Sequence, residues 1–220
     1  GRGDIIEKYL ELFGHWHFSG WNVASFDWRG QGGSGRLAAD PHVGHCPDFG
    51  LWIDDFADFV ADWAARTPGP HIIIGHSMGG HLVLRALVEQ RIVPDSIVLV
   101  APMLGFETRP LPLRLAAWIV RQLARHWPER AAWKANERPA LPWTSRQRLL
   151  TSDQDRYSDE LWWEREKPEL ELGPPSLKWV EQAYGSVLDL EACRGIERIS
   201  IPVLVLGTRG DRLVSPAAIP

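Results

Sequence analysis

The feature that most constrains this chain is the pentapeptide Gly75-His76-Ser77-Met78-Gly79, set between an apolar run, His71–Gly75, and a helix-length segment, Gly79–Gln90. A serine in such a strand-to-helix turn demands tight geometry. Side chains flanking Ser77 would clash across the turn, which is why Gly75, Gly79 and Gly80 surround it. The turn lifts the hydroxyl clear of a sheet and sets it at a helix N-terminus, where the backbone N–H of Met78 is aimed to stabilise an oxyanion. The plainer reading is a tight turn with an incidental serine, and the strand and helix on either side weigh against it.

The remaining pattern is α/β. Trp21–Asp27 predicts a short buried strand running into a glycine-rich loop, Arg29–Gly35. His71–Gly75 is a continuous apolar run, the mark of a strand covered on both faces, and Ser96–Ala101 and Ile201–Gly207 are further buried strands. Leu51–Arg66 predicts an amphipathic helix, with Trp52, Phe56, Phe59, Val60 and Trp63 at helical spacing. Strands separated by helix-length segments imply a parallel sheet. From about Leu104 to Val187 no good strand occurs. Pro112–Trp127 has helical period, and seven of the chain's 12 tryptophans fall in this stretch among prolines that break helices into short pieces. The expected organisation is a core over residues 1–103, a helical tryptophan-rich cap over 104–187, and a second core portion over 188–220. The cap tryptophans suit the walls of an acyl-chain groove or the interior of a small core.

Four stretches together resemble the α/β-hydrolases of the monoglyceride lipase, lysophospholipase and serine aminopeptidase S33 group. Gly1-Arg2-Gly3-Asp4 followed by Glu7-Lys8-Tyr9 is similar to that group's oxyanion loop and first helix, and Phe26–Ser34 (FDWRGQGGS) to its D-x-R-G-x-G-x-S loop. Gly75–Gly80 matches its nucleophile elbow and Gly207–Val214 (GTRGDRLV) its acid loop. The resemblance implies an α/β-hydrolase fold, a mostly parallel sheet with helices on both faces and an inserted helical cap. It implies Ser77 as nucleophile, Asp211 as triad acid, and the backbone N–H groups of Arg2 and Met78 as the oxyanion hole. The implied reaction is cleavage of a carboxylic ester through an acyl-enzyme, with a lysophospholipid or monoacylglycerol as substrate and no cofactor or metal. A small-ester carboxylesterase and a non-catalytic binding protein of the same fold are the alternatives.

The general base is missing from this pattern. Ser-His-Asp chemistry needs an imidazole to take the serine proton, and the family's chain order is Ser, Asp, His. The eight histidines are His15, His17, His42, His45, His71, His76, His81 and His126, and none follows Asp211. The expectation is therefore a hydrolase cut at both ends, with its base about 25–30 residues beyond Asp211 and an apolar strand before Gly1. Exposed strand edges and apolar surface are expected to follow.

Composition narrows the rest. With 45% hydrophobic residues the chain can bury a core, and a formal charge of −4 gives no general affinity for nucleic acid or an anionic membrane. Gly30–Gly35 fits G-x-G-x-x-G, but Arg36–Pro47 carries two prolines where a dinucleotide site needs a helix. His15-x-His17 and His42-x-x-His45 lack partner ligands at metal spacing. Two isolated cysteines, Cys46 and Cys193, read as free thiols of a cytoplasmic protein, with peripheral membrane contact left open by the tryptophan-rich cap. The sequence indicates a small ester or lipid as partner and names no partner protein.

Overall fold

The computed structural model describes residues 1–106, 108, 110–133, 151, 153–211 and 214–219. A 3-10 turn, Ile6–Tyr9, leads into helix α1 (Leu10–Phe18), and a long loop joins this to α2 (Phe49–Arg66). Strand β1 (Ile72–His76), helix α3 (Met78–Val88) and strand β2 (Ser96–Val100) follow. After β2 come α4 (Leu113–His126), α5 (Gln154–Glu166) and α6 (Leu177–Ala192), then strand β3 (Val203–Leu206). Between β2 and β3, every regular element among the described residues is helical. Trp143 and the prolines at 139 and 142, part of the expected cap, lie outside the described residues.

The strands form one parallel sheet in the order β1-β2-β3, with Gly75 opposite Leu99 and Val100 opposite Leu206. Helix α2 starts where Asp48 caps it by accepting from the Gly50 N–H at 2.7 Å. It turns Phe49, Trp52, Ile53, Phe56 and Val60 inward at helical spacing. These meet Leu82, Val83 and Ala86 of α3, Ile73, Ile97 and Leu99 of the sheet, and Trp179, Val180 and Ala183 of α6 in one buried cluster. Helix α6 is thus a core helix, and the expected boundary at residue 187 falls inside it.

Among the described residues the two faces of the sheet are covered unequally. Ile73, Ile97 and Leu99 point into the core, whereas Ile74, Leu204 and Leu206 on the opposite face are about half exposed (47%, 53% and 48%). The exposed apolar surface expected from the sequence is therefore present on this face. One expectation changes. Trp21–Asp27 forms no strand at all. It lines, with β1, an apolar groove of about 510 Å³. Among the described residues no backbone ladder joins the two segments, and a strand needs such a partner. Aromatic packing holds the segment instead, with the Phe26 ring 4.6 Å from Phe59 and 4.8 Å from Trp28. No described helix is long and apolar enough to cross a membrane.

Two glycines with opposite surroundings test this description. A Cβ on Gly75 would stand 2.7 Å from the Gly80 Cα and 2.8 Å from the Gly79 carbonyl oxygen, backbone atoms that cannot swing aside. Gly75→Ala is expected to lower the unfolding free energy by about 3 kcal/mol. Gly185, inside α6, has nothing within 4 Å of that position, so Gly185→Ala should raise it by about 0.5–1 kcal/mol. Urea unfolding of both variants checks the pair.

Candidate active site

Ser77 ends β1 and precedes α3 with φ 51° and ψ −118°, a conformation rare for any residue but glycine. Its backbone is held on three sides. The Ser77 N–H donates to the Val100 carbonyl at 2.9 Å, and the Ser77 carbonyl accepts from the N–H groups of Met103 at 3.0 Å and His81 at 3.1 Å. Met78 is the first residue of α3, so its N–H belongs to the set that finds no acceptor within the helix. That donor lies beside the Ser77 side chain, where developing negative charge would sit. The Gly1 backbone approaches so closely that a Cβ there would lie 3.2 Å from the Ser77 Cβ. The structure thus brings Gly1, Ser77 and Met78 into one corner.

The loop from Gly1 to Ile6 is fixed by side chains of the glycine-rich loop. Buried Gln31 accepts from the Gly3 N–H at 2.7 Å, and its amide faces the Met78 sulfur at 4.0 Å. Asp27 accepts from the Ile6 N–H at 3.1 Å and the Gly33 N–H at 2.9 Å. Position 32 must be glycine: its φ is +50°, and a Cβ would overlap the Asp27 carboxylate at 2.2 Å. The Arg2 side chain turns away from Ser77, donating to the Gly173 carbonyl and lying over the Trp179 ring with 5.4 Å to its centroid. A backbone role at Arg2 therefore leaves its side chain free to tie the loop to α6.

Asp4 is the most densely bonded acid near the elbow. Its carboxylate accepts from Lys8 Nζ at 2.9 Å, from the Tyr9 hydroxyl at 2.9 Å and from His76 Nδ1 at 3.1 Å, and lies 2.5 Å from the Gly1 nitrogen. Burial alone would raise its pKa. The His76 hydrogen bond and the nearby Lys8 ammonium work against burial and favour the charged carboxylate. Sequence reading identified the stretch but not this role for Asp4, nor those of Gln31 and Asp27. The available signal was the pairing of polar residues with glycines in both loops.

Asp211 lies beyond β3, its Oδ1 accepting from the Val214 N–H at 3.1 Å. Residues 212 and 213 of the acid-loop motif lie outside the described residues. The strands that Ser77 and Asp211 follow are separated by β2, so at about 4.8 Å per step their ends stand roughly 10 Å apart along one edge. Four of the eight histidines are engaged elsewhere, His45 with Ser176, His71 with the Thr67 carbonyl, His76 with Asp4 and His81 with Ser186, and among the described residues no histidine bonds to the Ser77 hydroxyl. His76 faces the groove beside β1, which Ser77 does not line. Among the described residues no three His, Cys, Asp or Glu side chains gather as a metal site.

A parallel sheet whose strand delivers a strained serine to a helix N-terminus, beneath a helical insertion, is the α/β-hydrolase fold. Its architectural likenesses include the monoacylglycerol lipase of Paleococcus ferrophilus (TM-score 0.71, 20% identity, 98% of this chain and 73% of that one). A soluble variant of monoglyceride lipase from Saccharomyces cerevisiae gives TM-score 0.72 at 16% identity, over 98% and 68% of the two chains. In sequence, the chain is 32% identical over 230 residues to lysophospholipase L2 of Escherichia coli, covering 97% of this chain and 62% of that protein. The family model for serine aminopeptidase, S33, matches residues 1–219, and the chain belongs to that family.

His81 offers a titration that reports on the elbow's foundation. Its fully buried ring shares a 2.7 Å hydrogen bond with Ser186 of α6. Burial, reinforced by the charge of Arg85, lowers its pKa from 6.5 to about 4. A base that stays neutral when folded stabilises fully above its unfolded pKa. That stability, on the order of 3 kcal/mol, is lost as pH falls from 6.5 toward 4. Between pH 5 and 6, the unfolding free energy of His81→Gln should therefore change with pH less steeply than the parent's, by about 1 kcal/mol per unit. Urea titrations at the two pH values measure the difference.

Proposed function

We propose that the protein is a serine hydrolase that cleaves carboxylic esters of lysophospholipids or monoacylglycerols. The observation that carries the reading is Ser77, held at positive φ at the start of α3 with the Gly1 backbone against it. In this reading the Ser77 hydroxyl attacks the ester carbonyl while an imidazole takes its proton. The Met78 and Arg2 N–H groups receive the negative charge of the tetrahedral intermediate. Collapse expels the alcohol, which regains the proton from the imidazolium, and water then releases the fatty acid from the Ser77 ester. Asp211 orients the imidazole, which the family order places after it in the chain. Likeness to lysophospholipase L2 supports the lysophospholipid as substrate class, and the apolar cap fits an acyl chain.

The reading extends to contact with a membrane surface in a reducing compartment. Helix α4 exposes Leu115, Trp118 and Leu123 alongside Arg114, Arg121 and Arg125, the mixture that lies well at an anionic lipid interface. Cosedimentation with vesicles containing phosphatidylglycerol is expected to fall about fivefold or more in the Leu115→Ala/Trp118→Ala double variant, whereas equal binding by both proteins would remove this part of the reading.

Fatty-acid release from lysophosphatidylcholine and 1-monoacylglycerol tests the activity. Ser77→Ala should lower kcat by about a thousandfold or more with an unchanged fold. Ser77→Gly should abolish turnover yet raise the unfolding free energy by about 1 kcal/mol, because glycine accepts the positive φ that serine resists. Hydrolysis surviving in Ser77→Ala would refute the assignment.

A further inference from the structure

The N-terminal loop is joined to the cap by charge. Lys8 Nζ lies between two carboxylates, 2.9 Å from Asp4 Oδ1 and 3.0 Å from Glu160 Oε2 of α5. Asp4 and Glu160 are both largely shielded from solvent, with side chains only 14% and 11% exposed. From Asp4 the chain of contacts continues to His76, the residue before Ser77, and to the Gly1 nitrogen. Two further ion pairs hold α5 to the same segment: Lys167 to Glu7 at 3.0 Å, and Arg156 to Glu11. The second of these is exposed on both sides and is therefore weak. Burial works against charge on Lys8, yet Asp4 and Glu160 together hold its pKa well above its usual range.

We infer that Glu160, Lys8 and Asp4 form a positioning relay, through which the seating of α5 sets where the Gly1–Gly3 loop stands against the Ser77 elbow. The inference rests on the reading of that loop as the oxyanion loop. None of the three residues touches substrate in this arrangement, and their role is to place the loop. With Lys8 bonded to Glu160, its ammonium is fixed in line with Asp4, and Asp4 in turn is fixed toward Gly1 and His76. Removing the Glu160 charge leaves Lys8 free to follow solvent, and Asp4 loses its anchored partner. The loop then samples positions in which its N–H groups miss the oxyanion, although the core cluster, which none of these residues joins, is unchanged. The cap would thereby control turnover as well as substrate choice.

Hydrogen–deuterium exchange of the intact protein and steady-state kinetics test the relay together. In Glu160→Gln, at an unchanged unfolding midpoint, exchange in the peptide covering residues 1–9 is expected to quicken about tenfold, while peptides from α2 and α3 keep their protection. Where the protein hydrolyses esters, kcat should fall about tenfold with KM within about twofold, the signature of an interaction used in the transition state. Glu160→Asp keeps the charge and withdraws the carboxylate by one methylene, so it should show the same changes at smaller size, and it decides the matter if Glu160→Gln fails to fold. Glu11→Gln, which removes only the exposed pair, should leave both readouts at the parent's values. Exchange at residues 1–9 that is the same in Glu160→Gln, Glu11→Gln and the parent overturns the relay. A parent protein that releases no fatty acid refutes the proposed function instead, and the exchange measurement still decides the relay.

Discussion

Everything at this site depends on holding Ser77 at positive φ. Such a conformation costs about 1–3 kcal/mol for a non-glycine residue. Three backbone hydrogen bonds oppose that cost, from Val100, Met103 and His81, each worth about 1 kcal/mol net. The margin is thin, so the turn survives only if nothing else in it is strained. This is why no side chain can stand at position 75 and why α3 must begin immediately after the serine. It also ties the nucleophile to the sheet: the Val100 carbonyl that fixes Ser77 belongs to β2, and β2 is held in register by β3.

The second requirement is electrostatic. A loop that offers backbone N–H groups to an anion must not have them consumed by neighbours, yet the rest of its backbone has to be anchored. The chain solves this by having side-chain oxygens take selected donors: Gln31 takes Gly3, Asp27 takes Ile6, and Asp4 lies against Gly1. Burying the Asp4 carboxylate beside a site for developing negative charge would by itself oppose catalysis. Lys8, Tyr9 and His76 all donate to that carboxylate and offset its charge locally.

How much of this could be read from the sequence depends on range. The elbow, the three strands and α2, α3 and α4 were legible to within about two residues, because strand and helix period, glycine placement and Pro112 are local signals. Trp21–Asp27 misled because an apolar run carries no information about whether a hydrogen-bonding neighbour exists. Motif resemblance singled out Ser77, Met78, Arg2 and Asp211 as candidates, and it carried no signal for the bonds of Asp4, Gln31 and Glu160. Asp4 meets Lys8 and Tyr9 locally, but its bond to His76, that of Gln31 to Gly3 and that of Glu160 to Lys8 span 28 to 152 residues, and only the fold brings those together.

Among the described residues, the two helices that follow α4 are attached by different forces. Helix α6 buries Leu177, Trp179, Val180, Ala183, Val187 and Leu190, so its position is set by packing and is insensitive to salt. Helix α5 buries only Tyr157 and Glu160, leaves Trp162 about half exposed, and is held to the N-terminal segment by ion pairs. Exposed pairs of this kind contribute little and are screened within about 8–10 Å at ordinary ionic strength. The partly buried Lys8–Glu160 contact is the most shielded of these ion pairs. A local opening free energy smaller than that of the core is the physical consequence. The loop beside Ser77 thus takes its position partly from the most loosely held of the helices around it. That arrangement allows the site to form and relax without disturbing the strained turn on which the nucleophile depends.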